Sequence, residues 1–126
     1  MVDLAGESAE ILRKEKFAYL TTVGRKTGKK HTVQLWFAFS NGSIFLSHEG
    51  DYTDWIKNMT HERRVQLKIG TLSVEANGVI VKEGRSRELG KKALYEKYYG
   101  PAPKATIDDW FERSAVVDLT PIKYSS

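Results

Sequence analysis

Short segments of strand-like composition, separated by turns that contain glycine, run through most of this chain. Phe17–Val23 is rich in β-branched and aromatic residues, as strands usually are. His31–Ser40 and Ser43–His48 flank Asn41-Gly42, the dipeptide most typical of a two-residue β-hairpin. Because so short a turn joins antiparallel neighbours, the sequence predicts a sheet built largely from hairpins.

The remaining segments continue this pattern and add helices. Arg64–Ile69 alternates apolar and polar residues like a half-buried strand, Leu72–Glu83 follows with Gly78 as an expected bulge or bend, and Val116–Ile122 is the last strand. Six such strands favour closure into a small barrel with helices packed outside it. The predicted helices are Glu7–Lys16 capped by Ser8, Asp51–His61 capped by Asp51 or Thr53, Arg85–Tyr99, and Ile107–Arg113.

Composition narrows the class of protein. The 126 residues have the length of a single domain, 1–126. The chain has no cysteine, which excludes a disulfide framework, a thiolate metal site and a cysteine nucleophile. No apolar run reaches the length of a membrane span, and the acidic N-terminal segment does not read as a signal peptide. We therefore expect a cytoplasmic protein with no membrane partner.

The charge balance suits an anionic ligand. Twenty Lys and Arg against 16 Asp and Glu give a net charge of +4. The predicted helix Arg85–Tyr99 interleaves basic residues with tyrosines, a pattern also found in proteins that bind single-stranded nucleic acid. Its glutamates dilute that charge, and no nucleic-acid-binding module is recognisable. A solvated helix face explains the pattern better, so no nucleic-acid partner is expected.

The turn after the first strand carries the clearest chemistry. Arg25, Lys26 and Thr27 lie on it between Gly24 and Gly28, and Lys29, Lys30 and His31 follow. Phosphate binding requires fixed positive charge and backbone N–H groups that a ligand can approach, and glycines allow that approach. An ordinary solvated turn has a similar composition. The turn lacks the spacing of a nucleotide P-loop or a Rossmann motif.

A second indication of a cofactor lies directly beyond this turn. Gln34-Leu35-Trp36-Phe37 places aliphatic and aromatic side chains next to the basic residues. A planar ring cofactor needs such a wall, with its phosphate tail toward the charges. Core packing explains the same residues at alternate positions of a strand. The adjacency of the two features is what favours a cofactor.

Other chemistries have little support. His31, His48 and His61 show no metal-ligand spacing with each other or with carboxylates, so no metal is expected. Ser8, Ser47 and Ser114 lie in no nucleophile-elbow pattern, which disfavours a hydrolase.

The order of these motifs resembles a known family. Thr21-Thr22-Val23-Gly24-Arg25-Lys26-Thr27-Gly28, then Leu35-Trp36-Phe37, is similar to the opening of the deazaflavin-dependent nitroreductases. These belong to a flavin/deazaflavin oxidoreductase superfamily that includes pyridoxamine-phosphate oxidases. Trp55-Ile56-Lys57-Asn58-Met59, Val65-Gln66-Leu67 and Arg113 occupy the places of later family motifs. Gln34 replaces a family proline, and His48-Glu49 stands where a lysine is frequent.

The resemblance implies a fold and an activity. The fold would be α+β, a mostly antiparallel six-stranded split β-barrel with flanking helices. The activity would be hydride transfer between bound coenzyme F420, a deazaflavin, and a small electron-poor acceptor such as a nitro compound, quinone or enone. Trp55 lies where flavin-mononucleotide oxidases of the superfamily have a phosphate-binding lysine, so the deazaflavin is favoured over FMN. The implied cofactor-binding residues are Arg25, Lys26, Thr27, Gly28, Lys29, His31, Gln34, Leu35, Trp36, Trp55 and Asn58.

Some alternatives stay open at this stage. The superfamily also contains FMN-dependent oxidoreductases and non-catalytic cofactor carriers, and a fold alone does not decide between them. The proton donor stays open, with Tyr95, Tyr98 and Tyr99 as candidates. By analogy with other split barrels we expect a homodimer with the cofactor at or near the interface.

Overall fold

The computed structural model describes residues 6–50 and 53–125. Within these residues it contains a closed barrel of six strands, in the order β1-β2-β3-β6-β5-β4, with all neighbours antiparallel, and four helices. The predicted α+β split barrel with flanking helices is thereby confirmed. The elements are α1 (Gly6–Lys14), β1 (Phe17–Val23), β2 (Lys30–Ser40), β3 (Ser43–Glu49), α2 (Asp54–His61), β4 (Arg64–Ile69), β5 (Leu72–Val81), α3 (Arg85–Tyr99), α4 (Lys104–Trp110) and β6 (Ser114–Ser125).

Hairpin turns set the register of the barrel. At the β2–β3 turn, Asn41 has φ 53° and Gly42 has φ 82°, the two positive values that a type I′ turn needs. Ser40 therefore pairs with Ser43, and the pairing continues to Phe37 opposite Leu46. The barrel closes through long-range ladders, with β6 lying between β3 and β5.

Apolar side chains fill the barrel and a second layer outside it. The interior cluster includes Leu20, Phe37, Leu67 and Leu119, each no more than 3% exposed. On the outer face of β2, β3 and β6, a separate cluster joins the sheet to α3 and α4. Val33, Leu35 and Phe37 belong to the interior cluster and Ala38 to the outer one, as the two-residue period of a strand requires.

Two glycines allow helices to lie close to the sheet. A Cβ at Gly90 of α3 would lie 2.6 Å from the Phe45 ring and 2.9 Å from Val116. Gly78, predicted as a bulge, pairs regularly with Leu119, and the register of β5 and β6 shifts between Glu75 and Ala76 instead. The reason for a glycine at position 78 is packing, because a Cβ there would lie 2.4 Å from the sulfur of Met59 in α2.

Several predicted boundaries were wrong by a few residues. α1 begins at Gly6, so Ser8 lies inside the helix and does not precede it. α4 begins after Pro103 and ends at Trp110, several residues before the predicted end. β6 extends beyond both ends of the predicted last strand, because its two ends pair with different partners, β3 and β5.

The two predicted caps of the second helix, Thr53 and Asp51, have different outcomes. Thr53 occupies the N-cap of α2 but makes no side-chain capping hydrogen bond. Asp51, the other predicted cap, lies outside the described residues. None of the helices within residues 6–50 and 53–125 is long and apolar enough to cross a membrane.

Candidate functional site

The β1–β2 turn is held in shape by its own hydrogen bonds. The Gly24 amide donates to the Lys29 carbonyl at 2.7 Å, and the Gly28 amide donates to the Gly24 carbonyl at 2.9 Å. The Lys29 amide donates to the Thr27 hydroxyl at 3.2 Å. Gly28 has φ 73°, a value that glycine adopts without strain. The Gly28 amide and Thr27 hydroxyl thus build the turn, which leaves the charged side chains to meet a ligand.

Helix α2 fixes this turn from the side. The Arg25 amide and its Nη1 both donate to Asn58 Oδ1, at 3.2 and 2.8 Å, and Arg25 Nη2 lies 3.3 Å from Asp54 Oδ1. Asn58 Nδ2 donates in turn to the Thr22 hydroxyl at 3.4 Å. Asn58 and Thr22 are only 4% and 1% exposed. Asn58 is therefore a positioning residue that connects the barrel, the turn and α2.

A cavity of about 480 Å³, which we call the basic-turn cavity, lies between the turn and α2. Trp55 forms part of its wall, is 5% exposed, and has an indole Nε1 without a hydrogen-bond partner among the described residues. A buried donor left unpaired costs free energy, and a ligand acceptor that reached this donor would offset that cost. The lining residues are Thr22, Gly24, Arg25, Lys26, Thr27, His31, Thr32, Val33, Asp54, Trp55 and Asn58.

The residues of this cavity fit an anionic group. Lys26 is exposed at its edge and forms no ion pair with any residue of the described ranges, so its charge is available. The Arg25 guanidinium forms an ion pair with Asp54 but remains partly exposed. Gly24 allows the Thr27 and His31 side chains to lie close to the backbone, since a Cβ at this position would lie 2.9 Å from Thr27 Oγ1 and 3.0 Å from His31 Nε2. Together these groups offer positive charge and donors, which a phosphate requires.

The structure brings together six of the residues that the resemblance implied and separates five others from them. Arg25, Lys26, Thr27, His31, Trp55 and Asn58 line the basic-turn cavity, whereas Gly28, Lys29, Gln34, Leu35 and Trp36 do not. Leu35 packs against the barrel interior. Trp36 lies on the opposite side of β2, where its ring stacks on Tyr98 at 4.1 Å. The aromatic wall of the cavity is Trp55, and not Trp36.

The candidate proton donors also lie elsewhere. The Tyr98 hydroxyl accepts a hydrogen bond from the Phe37 amide at 2.9 Å and lies 2.7 Å from the Lys16 carbonyl and 2.8 Å from the Phe37 carbonyl, either of which it can donate to. Burial raises the pKa of Tyr98. Tyr95 and Tyr99 cluster with Trp110 on the outer side of α3, at centroid distances of 5.0–6.0 Å. None of these tyrosines lines the basic-turn cavity.

A larger cavity, of about 800 Å³, lies beside β3, β5 and β6, and we call it the β3–β6 cleft. The ring of His48 in its wall meets the ring of Trp55 edge to face at 6.1 Å. One aromatic contact therefore separates the two cavities. The sequence analysis named His48-Glu49 and Arg113 at separate motif positions and did not predict that the fold brings them together. The lining residues are His48, Glu49, Gly50, Ile80, Val81, Lys82, Arg87, Glu112, Arg113, Ser114 and Ala115.

Arg87 holds one wall of the cleft in place. Its guanidinium donates to the carbonyls of Val81, Phe111 and Ser114 at 3.3, 3.1 and 3.2 Å. These carbonyls belong to the end of β5, the end of α4 and the start of β6. Three chain segments are thus tied by one side chain. Within residues 6–50 and 53–125, no group of three His, Asp or Glu side chains could hold a metal ion.

Solved structures share this architecture. The Mycobacterium tuberculosis protein Rv2991 superposes with a TM-score of 0.81 at 20% identity, covering 98% of this chain and 84% of that one. A structure described as an F420 reductase gives 0.66 at 19% identity, covering 98% of both chains. HutZ, the heme storage protein of Vibrio cholerae, gives 0.70 at 15% identity, covering 98% and 94%. At such low identity these likenesses establish the fold alone. No curated protein matches the sequence significantly.

The barrel, its basic turn and the cavity against α2 define a split-barrel protein equipped to bind an anionic cofactor. The model of the F420H(2)-dependent quinone reductase family matches residues 2–100, most of the chain. The chain belongs to that family, and it is accordingly an oxidoreductase that depends on the deazaflavin F420. The predicted superfamily, the enzymatic nature and the preferred cofactor are confirmed.

Proposed function

We propose that this enzyme transfers a hydride from reduced F420 to a small electron-poor acceptor: a quinone, a nitro compound or an enone. The observation that supports the site is that Trp55, whose buried Nε1 lacks a partner among the described residues, and the unpaired Lys26 line the same basic-turn cavity. The chemistry that the cofactor supplies when bound is donation of a hydride from its C5 carbon. The acceptor takes the remaining proton from solvent, since the tyrosine hydroxyls lie away from this cavity.

In this proposal the chain binds, orients and shields. Lys26 and Arg25 attract the phosphate-bearing tail, and Trp55 Nε1 donates a hydrogen bond to the bound cofactor. Asn58 does not contact the cofactor, because its amide is already bonded to Arg25 and Thr22. It keeps Arg25 and the turn in position. The packed barrel interior beneath Trp55 and Val33 excludes water from one side of the site.

A cofactor titration tests the binding half of the proposal. Oxidised F420 and FMN are added separately to the purified protein, and Trp fluorescence and cofactor absorbance are followed. We expect F420 to bind more tightly, because Trp55 occupies the place of the flavin oxidases' lysine. Equal or tighter FMN binding would reverse the ranking of cofactors. Binding of F420 without turnover of any acceptor would favour the carrier alternative.

A turnover assay tests the other half. The protein with reduced F420 is mixed with one quinone, one nitroaromatic and one enone, and the return of oxidised F420 is followed by absorbance. We expect at least one acceptor to be reduced faster than in a control with Asn58→Leu protein, in which the turn has lost its support. Rates equal to the protein-free reaction for all three acceptors would refute the proposed activity.

We also propose a homodimer working in the cytoplasm. Phe17, Tyr19 and Trp36 are 40%, 46% and 43% exposed on the outer face of β1 and β2. Contiguous exposed aromatic residues of this kind are typical of interfaces. Light scattering at micromolar concentration should report a dimer, and F420 should raise the melting temperature by linkage. A monomer at all concentrations, with and without F420, would refute the dimer.

A further inference from the structure

We propose that the β3–β6 cleft is the acceptor site and that it selects planar acceptors carrying a negatively charged substituent, with Arg113 as the specificity-determining residue. This inference rests on the proposed function, because it assigns the second ligand of the same reaction. The cleft lies next to the basic-turn cavity, separated from it by the contact between His48 and Trp55. A ligand in the cleft would therefore lie beside a cofactor held against Trp55.

The cleft has the size and the lining for an aromatic acceptor. Its volume of about 800 Å³ lies in the range usual for small-molecule sites. Ile80, Val81 and Ala115 give it an apolar portion; Ala115 is 8% exposed and Ile80 packs against the barrel core. A flat ring would find its contacts on these strand residues, which the barrel holds rigidly.

The charged side chains of the cleft carry a small positive excess. Lys82, Arg87 and Arg113 are positive, and Glu49 and Glu112 are negative. Across residues 6–50 and 53–125, none of these five side chains forms an ion pair, so three positive charges stand against two equally unpaired negative ones. The Arg87 guanidinium bonds to carbonyls, which satisfy its N–H groups without neutralising its charge. The cleft thus favours an anion over a cation.

Arg113 is the best placed of these residues because its backbone is fixed on two sides. Its carbonyl accepts a hydrogen bond from the Gly50 amide at 2.8 Å, and Gly50 forms a bridge with Ser114. The flanking carbonyls of Phe111 and Ser114 are bound by Arg87. A charged side chain on so well-anchored a backbone loses less conformational entropy when it binds a ligand. An apolar portion and an anchored cation together fit an aromatic acid.

The test compares two acceptors that share a ring. The F420-loaded enzyme is assayed with 1,4-naphthoquinone and with 1,4-naphthoquinone-2-sulfonate, in the parent and in Arg113→Gln. Arg63→Gln, which removes the same charge at a position lining neither cavity, is the matched control. We expect Arg113→Gln to raise the KM for the sulfonate at least about fivefold at low salt. KM for the unsubstituted quinone, kcat and the F420 affinity should change less than about twofold.

Binding without turnover separates this inference from the proposed function. With oxidised F420 no hydride is available, so calorimetry measures the affinity for the sulfonate alone. Weaker binding in Arg113→Gln but not in Arg63→Gln supports the cleft, even if the reduced enzyme proves inactive and the proposed activity fails. Equal effects of Arg113→Gln on both quinones, or no effect on either, would overturn the inference while leaving the activity intact. A sulfonate preference that persists at high salt would also contradict the assignment to an exposed arginine.

Discussion

Two flanks of the barrel contain similar residue types and use them differently. On the flank covered by α2, basic and aromatic side chains surround a cavity, and Trp55 Nε1 lacks a partner among the described residues. On the flank covered by α3 and α4, most of the polar side chains that we describe are engaged, although Asp118 Oδ1, on the same face of β6 as Val116, has no partner among the described residues. Lys91 pairs with Glu88 and Asp108 at 2.8 and 2.7 Å, and the Tyr98 hydroxyl bonds to backbone. Residue type alone therefore does not identify the functional flank. What distinguishes the α2 flank is a cavity lined by basic side chains together with a tryptophan whose indole donor is unpaired.

This difference implies that the flanks respond to substitution in opposite ways. Changes beneath α3 should lower the free energy of unfolding and leave cofactor affinity nearly unchanged. Changes at the basic turn should weaken cofactor binding and leave the free energy of unfolding nearly unchanged, because turn side chains bury little surface and make few packing contacts.

The largest effect is expected at Gly90. Gly90→Val would place its Cβ 2.6 Å from the Phe45 ring and 2.9 Å from Val116, where the packed sheet cannot yield. Overpacking of this kind should lower the free energy of unfolding by about 3 kcal/mol. The matched control is Gly6→Val in α1, which has open space around it. Urea unfolding of both variants checks the prediction, and an equal loss in both would contradict it.

A smaller loss is expected from Tyr98→Phe. The Phe37 amide donates to the Tyr98 hydroxyl at 2.9 Å, and Phe37 is fully buried. Removing the hydroxyl leaves that amide without a partner, which should lower the free energy of unfolding by about 2 kcal/mol. Tyr99→Phe, on the exposed side of α3, should cost less than about 0.5 kcal/mol.

The same variant distinguishes a structural role from a catalytic one. The hydrogen bonds of Tyr98 predict that Tyr98→Phe keeps the parent's kcat under conditions where it is folded. A fall in kcat together with a changed pH profile would instead assign Tyr98 as the proton donor.

Structural features that depend only on neighbouring residues were predicted correctly from the sequence. Asn41-Gly42 specifies its hairpin because both residues tolerate positive φ, so β2 and β3 were placed correctly. The alternation in Arg64–Ile69 likewise predicts which residues face the interior. Each of these features is decided within a few residues of the chain.

The candidate site depends on contacts between distant segments, and it was predicted only in part. Arg25 was expected to bind phosphate, but its partner Asn58 lies 33 residues away, and no local pattern reveals that bond. Trp36 was expected beside the cofactor because it follows the basic turn. The strand period instead turns it toward Tyr98, outside the barrel. The cleft formed around Arg113 requires β3, β5 and β6 to be assembled first.

On the α2 flank, the informative variant removes Arg25 and Lys26 together. Replacing both by Ala should weaken F420 binding at least about tenfold, equivalent to ~1.4 kcal/mol. Fluorescence titration at low salt measures it, and the difference should shrink as salt rises. Gly28→Val is a further control: it keeps both charges but strains a residue at φ 73°. Parent-like affinity in the double variant would mean that the phosphate is held elsewhere.

The smallest effect is expected at Lys97, which the α3 flank buries in part. Its Nζ lies 3.4 Å from the centroid of the Phe37 ring and 3.3 Å from the Leu12 carbonyl. Burial lowers the pKa of Lys97 from 10.5 to about 8, an effect that nearby Glu15 opposes. The folded protein thus releases this proton at a lower pH than the unfolded chain does.

The sign of the pH dependence follows from that difference. Between about pH 8 and 10.5 the unfolded chain binds more protons at position 97, so this residue's contribution to the free energy of unfolding rises with pH. Because the side chain is still partly exposed, we expect a rise of only about 1 kcal/mol. The quantity to measure is the difference between the parent and Lys97→Met, because this difference removes the contributions of all other groups. Urea unfolding at pH 7.5 and pH 10 should show the parent gaining stability relative to the variant. A difference that does not change with pH would show that Lys97 remains charged in the folded protein, held by the Phe37 ring and the Leu12 carbonyl.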